Sequence, residues 1–158
     1  MFSPAYTRTL LGRGTLPNNS VVSSGLHVVS QIPFDELPAG FHIMGPLNCS
    51  ENPGLQCVHN DVRIDGTLTL SHCRFLRSIG ENLYVELDCD LTDCPSLLTI
   101  GDNFHVGGDL NLSDCNPAIQ LPQVGFVGQD LILPLAYDMA GLPANIKIGG
   151  GTMVSDSV

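Results

Sequence analysis

The sequence predicts an all-β chain wound as a right-handed parallel β-solenoid of six to seven coils, with little or no helix. Three observations carry this. The chain repeats itself every 21 residues, its apolar residues alternate with a period of two inside each repeat, and no repeat holds a helical run of useful length. Written in lines of 21 from Pro17, the lines begin at Pro17, Pro38, His59, Gly80, Gly101, Pro122 and Pro143 without a gap. The sixth position reads Val22, Ile43, Ile64, Val85, Val106, Val127 and Ile148. The tenth reads Leu26, Leu47, Leu68, Cys89, Leu110, Leu131 and then Thr152, and the twelfth Val28, Cys49, Leu70, Leu91, Leu112, Leu133 and Val154. The eighteenth reads Phe34, Leu55, Leu76, Leu97, Ala118 and Met139, and the last Leu37, Val58, Ile79, Ile100, Leu121 and Leu142. All five columns are read as inward.

Residues 1–16 precede the repeat and are expected to form an N-terminal cap or an export segment; residues 17–158 form the solenoid. The segment carries Arg8 and Arg13, and no acid precedes Asp35. It has no apolar run after a basic start, which argues against a Sec-type signal. Within each line, Phe104-x-Val106 and Leu110-x-Leu112 illustrate the pattern: two alternating pairs separated by the turn Gly107-Gly108-Asp109. One coil cannot bury its own apolar residues. Stacking coils about 4.8 Å apart places like over like, and six full coils with a partial seventh make a rod roughly 30 Å long.

Composition narrows the function classes. Against 16 Asp and Glu stand 6 Lys and Arg, a formal net charge of −10, which argues against nucleic-acid binding. No apolar run approaches the length of a membrane span.

The segment Leu68-Thr-Leu70-Ser-His-Cys73-Arg-Phe-Leu76-Arg-Ser-Ile79 resembles a leucine-rich-repeat unit, as does Leu110-Asn-Leu112-Ser-Asp-Cys115 running on to Leu121-Pro122. Leu37-Pro38, Leu121-Pro122 and Leu142-Pro143 resemble the leucine–proline steps of bacterial leucine-rich-repeat effectors secreted by type III systems. The Ser/Thr-rich N-terminus is similar to those of such substrates. The resemblance spans about residues 17–154 and implies protein recognition. It departs in one respect: an extra alternating pair, such as Phe41-x-Ile43, precedes the LxL strand in each line. The extra strand points to a flatter, β-helix-like cross-section over an open horseshoe.

Six cysteines invite a disulfide or zinc reading. Cys73, Cys94 and Cys115 share one column with Asn52 and are expected to point inward as reduced thiols. Cys49 and Cys89 fall in core columns, leaving Cys57 near a line end. A straight ladder does not converge tetrahedrally and there is no CxxC pair, so no metal site and no cofactor are expected. Asp88-Cys-Asp90-Leu-Thr-Asp93 clusters carboxylates but lacks the EF-hand glycine and distal glutamate.

Charge offers the best guide to a partner. Ten acids and no Lys or Arg lie between Ser78 and Ile146. Asp88, Asp109 and Asp130 share the ninth position of successive coils. They read either as turn residues capping backbone N–H groups or as an acidic stripe for a protein partner with a basic surface. A second candidate surface is the set of outward positions on the opposite strand, around Arg63, Tyr84, His105 and Phe126. Catalysis finds no support: Ser71 and His72 alternate in direction and do not make a nucleophile–base pair. The column Ser50, Ser71, Thr92, Ser113 reads as a turn-capping ladder. The function expected is therefore a non-enzymatic protein-interaction module, part or all of a bacterial effector secreted into a host cell, or else a cytoplasmic protein. The alternative is an acidic solenoid that mimics nucleic acid and occupies a DNA-binding protein, although the A(D/N)Lxx period of pentapeptide-repeat mimics is absent.

Overall fold

The computed structural model describes residues 1–28 and 30–155. It is a parallel β-solenoid of about six turns, nearly all β, with one short α-helix. The predicted end of the solenoid at residue 158 lies outside the described residues. Every strand pair is parallel and offset by one repeat: Val21 pairs with His42, Tyr84 with His105, Leu68 with Cys89, Ser78 with Thr99.

Each coil contributes to up to three sheets. The first sheet has seven strands, Val21–Val22, His42–Ile43, Arg63–Ile64, Tyr84–Val85, Phe104–Val106, Gly125–Val127 and Ile146–Ile148. The second also has seven, from Leu26–His27 to Thr152–Val154. The third has four, Glu36–Leu37, Cys57–Val58, Ser78–Ile79 and Thr99–Ile100, and ends in a single bridge from Thr99 to Gln120. One core runs between the sheets. Residues of the sixth, tenth and twelfth columns from Val22 to Leu133 are buried, as are Leu37, Val58, Ile79, Ile100 and Leu121. Strands of two or three residues suffice because each N–H and C=O pairs with the coil before or after it rather than within its own coil.

The turns between strands are held by two columns of left-handed backbone. Asn19, Gly40, Asp61, Asn82 and Asn103 occupy one, and Glu51, His72, Asp93 and Asp114 the other, with φ between 53° and 67°. Asn, Asp and Gly tolerate this conformation best, which accounts for much of the polar content of the turns. A third column explains the hydroxyl ladder. Asn48, Asp90 and Asn111 each accept, through Oδ1, both the backbone N–H and the hydroxyl of the residue two further on, Ser50, Thr92 and Ser113.

One expectation needs correction, in two coils. The eighteenth column does not stay inward: Ala118 and Met139 are exposed. In the fifth coil an Asx turn, in which Asn116 Oδ1 accepts from Ala118 N–H at 2.9 Å, slides the inward position by one, and Ile119 is buried instead. In the sixth, Asp138 caps a 3-10 turn, Met139–Gly141, that replaces the third-sheet strand.

The helix, α1 (Pro4–Gly12), lies outside the 21-residue lines. Ser3 caps it and Pro4 occupies its first turn, where a missing N–H costs nothing. Phe2 bridges Val22 in parallel, and Thr7 and Leu11 are buried, so the segment packs on the first coil. Arg8 Nε donates to the carbonyl of His27 at 2.6 Å.

None of the six cysteines is joined in a disulfide. Cys73, Cys94 and Cys115 are buried, and each thiol donates to a carbonyl of the coil before it, Cys49, Leu70 and Leu91, at 3.0–3.2 Å. Asn52 does the same work with an amide: Oδ1 accepts from Gly54 and Leu55 N–H, and Nδ2 donates to Ile32. Burial pushes the Cys73 thiol up to about 11, and hydrogen bonding to Cys115 together with burial pushes Cys94 upward. Cys94 in the native protein is therefore expected to resist a thiol reagent at pH 8 and to react fully once denaturant is added. Mass spectrometry of the labelled chain checks this, and rapid native labelling at Cys94 would contradict the inward column.

Candidate functional site

Winding the chain brings the fifth position of each line into a continuous outward column on the first sheet: His42, Arg63, Tyr84, His105, Phe126 and Lys147. Flat groups on neighbouring parallel strands stack, because the strand spacing is close to what two rings need. The Arg63 guanidinium carbon lies 4.3 Å from the Tyr84 ring centroid. Tyr84 and His105 stack at 4.9 Å with 9° between planes, and His105 and Phe126 at 4.6 Å with 16°. Aromatic pairs of this kind are worth about 0.5–1.5 kcal/mol each and an exposed cation–π contact about 0.5–1 kcal/mol. Tyr84, His105 and Phe126 are partly buried and Arg63 is exposed, so the ladder presents flat, ordered groups to solvent.

One end of the ladder is tied to the sheet by a carboxylate. Asp65 receives His42 Nε2 at 2.7 Å on Oδ2, and Arg63 Nε stands 2.7 Å from Oδ1 as an ion-pair contact. The hydrogen bond from His42, reinforced by the charge of Arg63, holds the Asp65 carboxyl below the ordinary carboxylate range despite its partial burial.

The ninth-position aspartates occupy the turns between the first and second sheets. Each reaches one coil forward. Asp88 Oδ1 accepts from Asp109 N–H at 2.9 Å, Asp109 Oδ1 from Asp130 N–H at 2.9 Å, and Asp130 Oδ1 from Gly151 N–H at 2.7 Å. One oxygen of each carboxylate is thus committed to stitching coils together. The segment from Asp88 to Asp93 is similarly engaged: Asp90 caps Thr92, and Asp93 Oδ2 meets His72 Nδ1 at 2.9 Å. His72 therefore faces Asp93, while the Ser71 hydroxyl donates to Ser50.

The structure also assembles a group that the sequence reading passed over. Glu36, Cys57 and His59 meet on the outer face of the third sheet: Cys57 Sγ lies 3.6 Å from His59 Nε2 and 3.9 Å from Glu36 Oε2, and the same Nε2 lies 2.8 Å from Glu36 Oε2. The signal was present as Cys-x-His, since residues two apart on a strand share a face. Glu36 arrives only through pairing of its strand with that of Cys57. Partial burial, together with the carboxylates of Glu36 and Asp35, raises the Cys57 thiol above its ordinary range.

No described helix is long and apolar enough to cross a membrane. The fold defines the class as a parallel β-solenoid with a 21-residue coil. The chain matches no family model, no curated protein and no solved structure.

Proposed function

We propose that the protein is a non-enzymatic protein-interaction module that anchors its partner on the ladder Arg63–Tyr84–His105–Phe126. The observation that carries this reading is the stacking itself. Aromatic and arginine side chains dominate interface energetics, and groups already ordered in the free protein lose little entropy on binding. The net charge of −10 adds long-range steering of a partner with a basic surface. The turn aspartates contribute to that field, although their hydrogen bonds give them a structural role as well. The leucine-rich-repeat resemblance and the Ser/Thr-rich N-terminus support placing the module among secreted bacterial effectors acting in a host cell.

Capture from candidate host lysate with three proteins tests the reading: wild type, Tyr84→Ala/Phe126→Ala, and Asp88→Asn/Asp109→Asn/Asp130→Asn. The ladder variant is expected to keep its melting temperature within a few degrees and to lose at least tenfold in affinity, about 1.4 kcal/mol. The asparagine variant keeps the Oδ1 acceptors and is expected to fold. Its association slows at low salt and converges on wild type above about 0.15 M, where charges are screened beyond about 8 Å. If the captured protein is a DNA-handling enzyme whose binding needs the aspartates and ignores the ladder, the nucleic-acid mimic replaces this reading.

A further inference from the structure

We propose that Glu36, Cys57 and His59 form a binding site for a divalent transition-metal ion of zinc-like softness, independent of the ladder. The three side chains bring the donor set such ions prefer, a sulfur, an imidazole nitrogen and a carboxylate oxygen. Among the described residues they are the one group of three or more His, Cys, Asp or Glu side chains placed closely enough to share an ion.

The geometry separates a metal site from a catalytic relay. A relay needs the imidazole to meet the nucleophile with one nitrogen and the orienting carboxylate with the other. Here the thiol and the carboxylate both meet Nε2. The three donor atoms converge on one region of space instead of forming a chain. A tetrahedral ion with metal–sulfur near 2.3 Å and metal–nitrogen or metal–oxygen near 2.1 Å places sulfur about 3.6 Å from each light donor and the light donors about 3.4 Å apart. The observed sulfur–nitrogen separation is 3.6 Å and the sulfur–oxygen separation 3.9 Å. The nitrogen and oxygen, now hydrogen-bonded at 2.8 Å, need to part by roughly half an ångström to admit the ion. Both side chains are about half exposed, His59 at 45% and Glu36 at 58%, so their rotamers are free to make that change. Two strands fix the Cα positions, since Glu36 and Cys57 are register partners and His59 follows Cys57 by two residues.

Three protein donors leave a fourth position to water, the arrangement of a site that accepts a further ligand. Glu36 also lines the shallow cleft between α1 and the first coils, together with Leu11, Arg13, Phe34 and Pro38, so the site opens beside a concave surface. The remaining five thiols are buried in the core and do not compete for the ion.

Titration of the reduced, metal-free full chain with Co²⁺ tests the site, because a thiolate–cobalt bond produces a charge-transfer absorption that carboxylate and imidazole alone do not. The expected result is one cobalt per chain, the charge-transfer band, and its loss on adding Zn²⁺. Cys57→Ser should abolish the band, and Glu36→Gln and His59→Ala should each weaken binding at least tenfold. The melting temperature of each metal-free variant, expected to match wild type, shows that the fold is intact. Absence of the band in wild type overturns the proposal, and so does a band that survives in Cys57→Ser. Unchanged affinity in both Glu36→Gln and His59→Ala would equally overturn it.

Discussion

Leu112→Asp is expected to unfold the chain at room temperature. Leu112 is fully buried, its N–H bonds to Ile132 at 2.8 Å, and its column continues through Leu91 and Leu133. A carboxylate there would stand among the apolar side chains of the core, and transferring an unpaired charge from water exceeds what the core can absorb. The cost, more than about 4 kcal/mol, is comparable with the whole stability of a domain of this size, typically about 5–15 kcal/mol. The neighbouring substitution is the control. Asn111→Asp places the same acid one residue earlier, in the outward column that already holds Asp90, where Oδ1 accepts from the following turn. Circular dichroism should show a folded, cooperatively melting Asn111→Asp and an unfolded Leu112→Asp. Equal melting of the two would refute the inward assignment of the twelfth column.

Gly107→Ala is expected to lose about 2–3 kcal/mol, the upper part of the usual cost of forcing atoms into a filled space. A Cβ at Gly107 would stand 2.0 Å from the carbonyl oxygen of Glu86 in the coil before it, and backbone cannot swing aside as a side chain does. The contact repeats up the rod: a Cβ at Gly128 would meet the Gly107 carbonyl at 2.0 Å, and one at Gly149 the Gly128 carbonyl at 2.1 Å. Met44, Asp65 and Glu86 hold the same position in earlier coils, so the close approach belongs to the later coils alone. At about 2–4 °C per kcal/mol for a chain of this length, the melting temperature should fall by roughly 5–10 °C. Gly141→Ala, where nothing lies within 4 Å, should melt like wild type. A Gly107→Ala protein as stable as Gly141→Ala would mean that the coils are spaced less tightly than described.

The columns that sequence reading recovered are those with one physical requirement each. Inward positions must be apolar, and Val22, Leu47 or Leu91 declare it. The places where reading failed are those where a local interaction competes with the period. Asn116 captures the N–H of Ala118 and moves the inward position to Ile119. Asp138 does the same at Ala140 and turns a strand into a 3-10 helix. Helix α1 had its own signal in Ser3-Pro4, a cap followed by a residue suited to the first turn, but it falls outside the repeat and borrows no evidence from it.

The two readings of the aspartates were separable only in three dimensions. Asp88 and Asp109 are 21 residues apart in sequence, and nothing in either residue says that the carboxylate of one caps the N–H of the other. The ladder has the same character. Arg63, Tyr84, His105 and Phe126 are chemically ordinary surface residues until winding sets them one strand spacing apart, where rings and guanidinium stack. Cys57 looked like the cysteine left over after five were assigned to the core, and it gained partners only when the strand of Glu36 came alongside.

The sequence by itself determined the period, the parallel winding and four of the five inward columns. Side chains alternate along a strand and coils stack in register, so a 21-residue rhythm of apolar residues admits one way of closing a core. The tertiary structure decided which outward residues touch: the stacked ladder, the carboxylates that bridge coils, and the meeting of Glu36, Cys57 and His59. The physical reason is that hydrophobic burial is written one residue at a time, whereas a contact between exposed side chains depends on distance. Residues a full coil apart in sequence come within hydrogen-bonding or stacking range only after the backbone has paired.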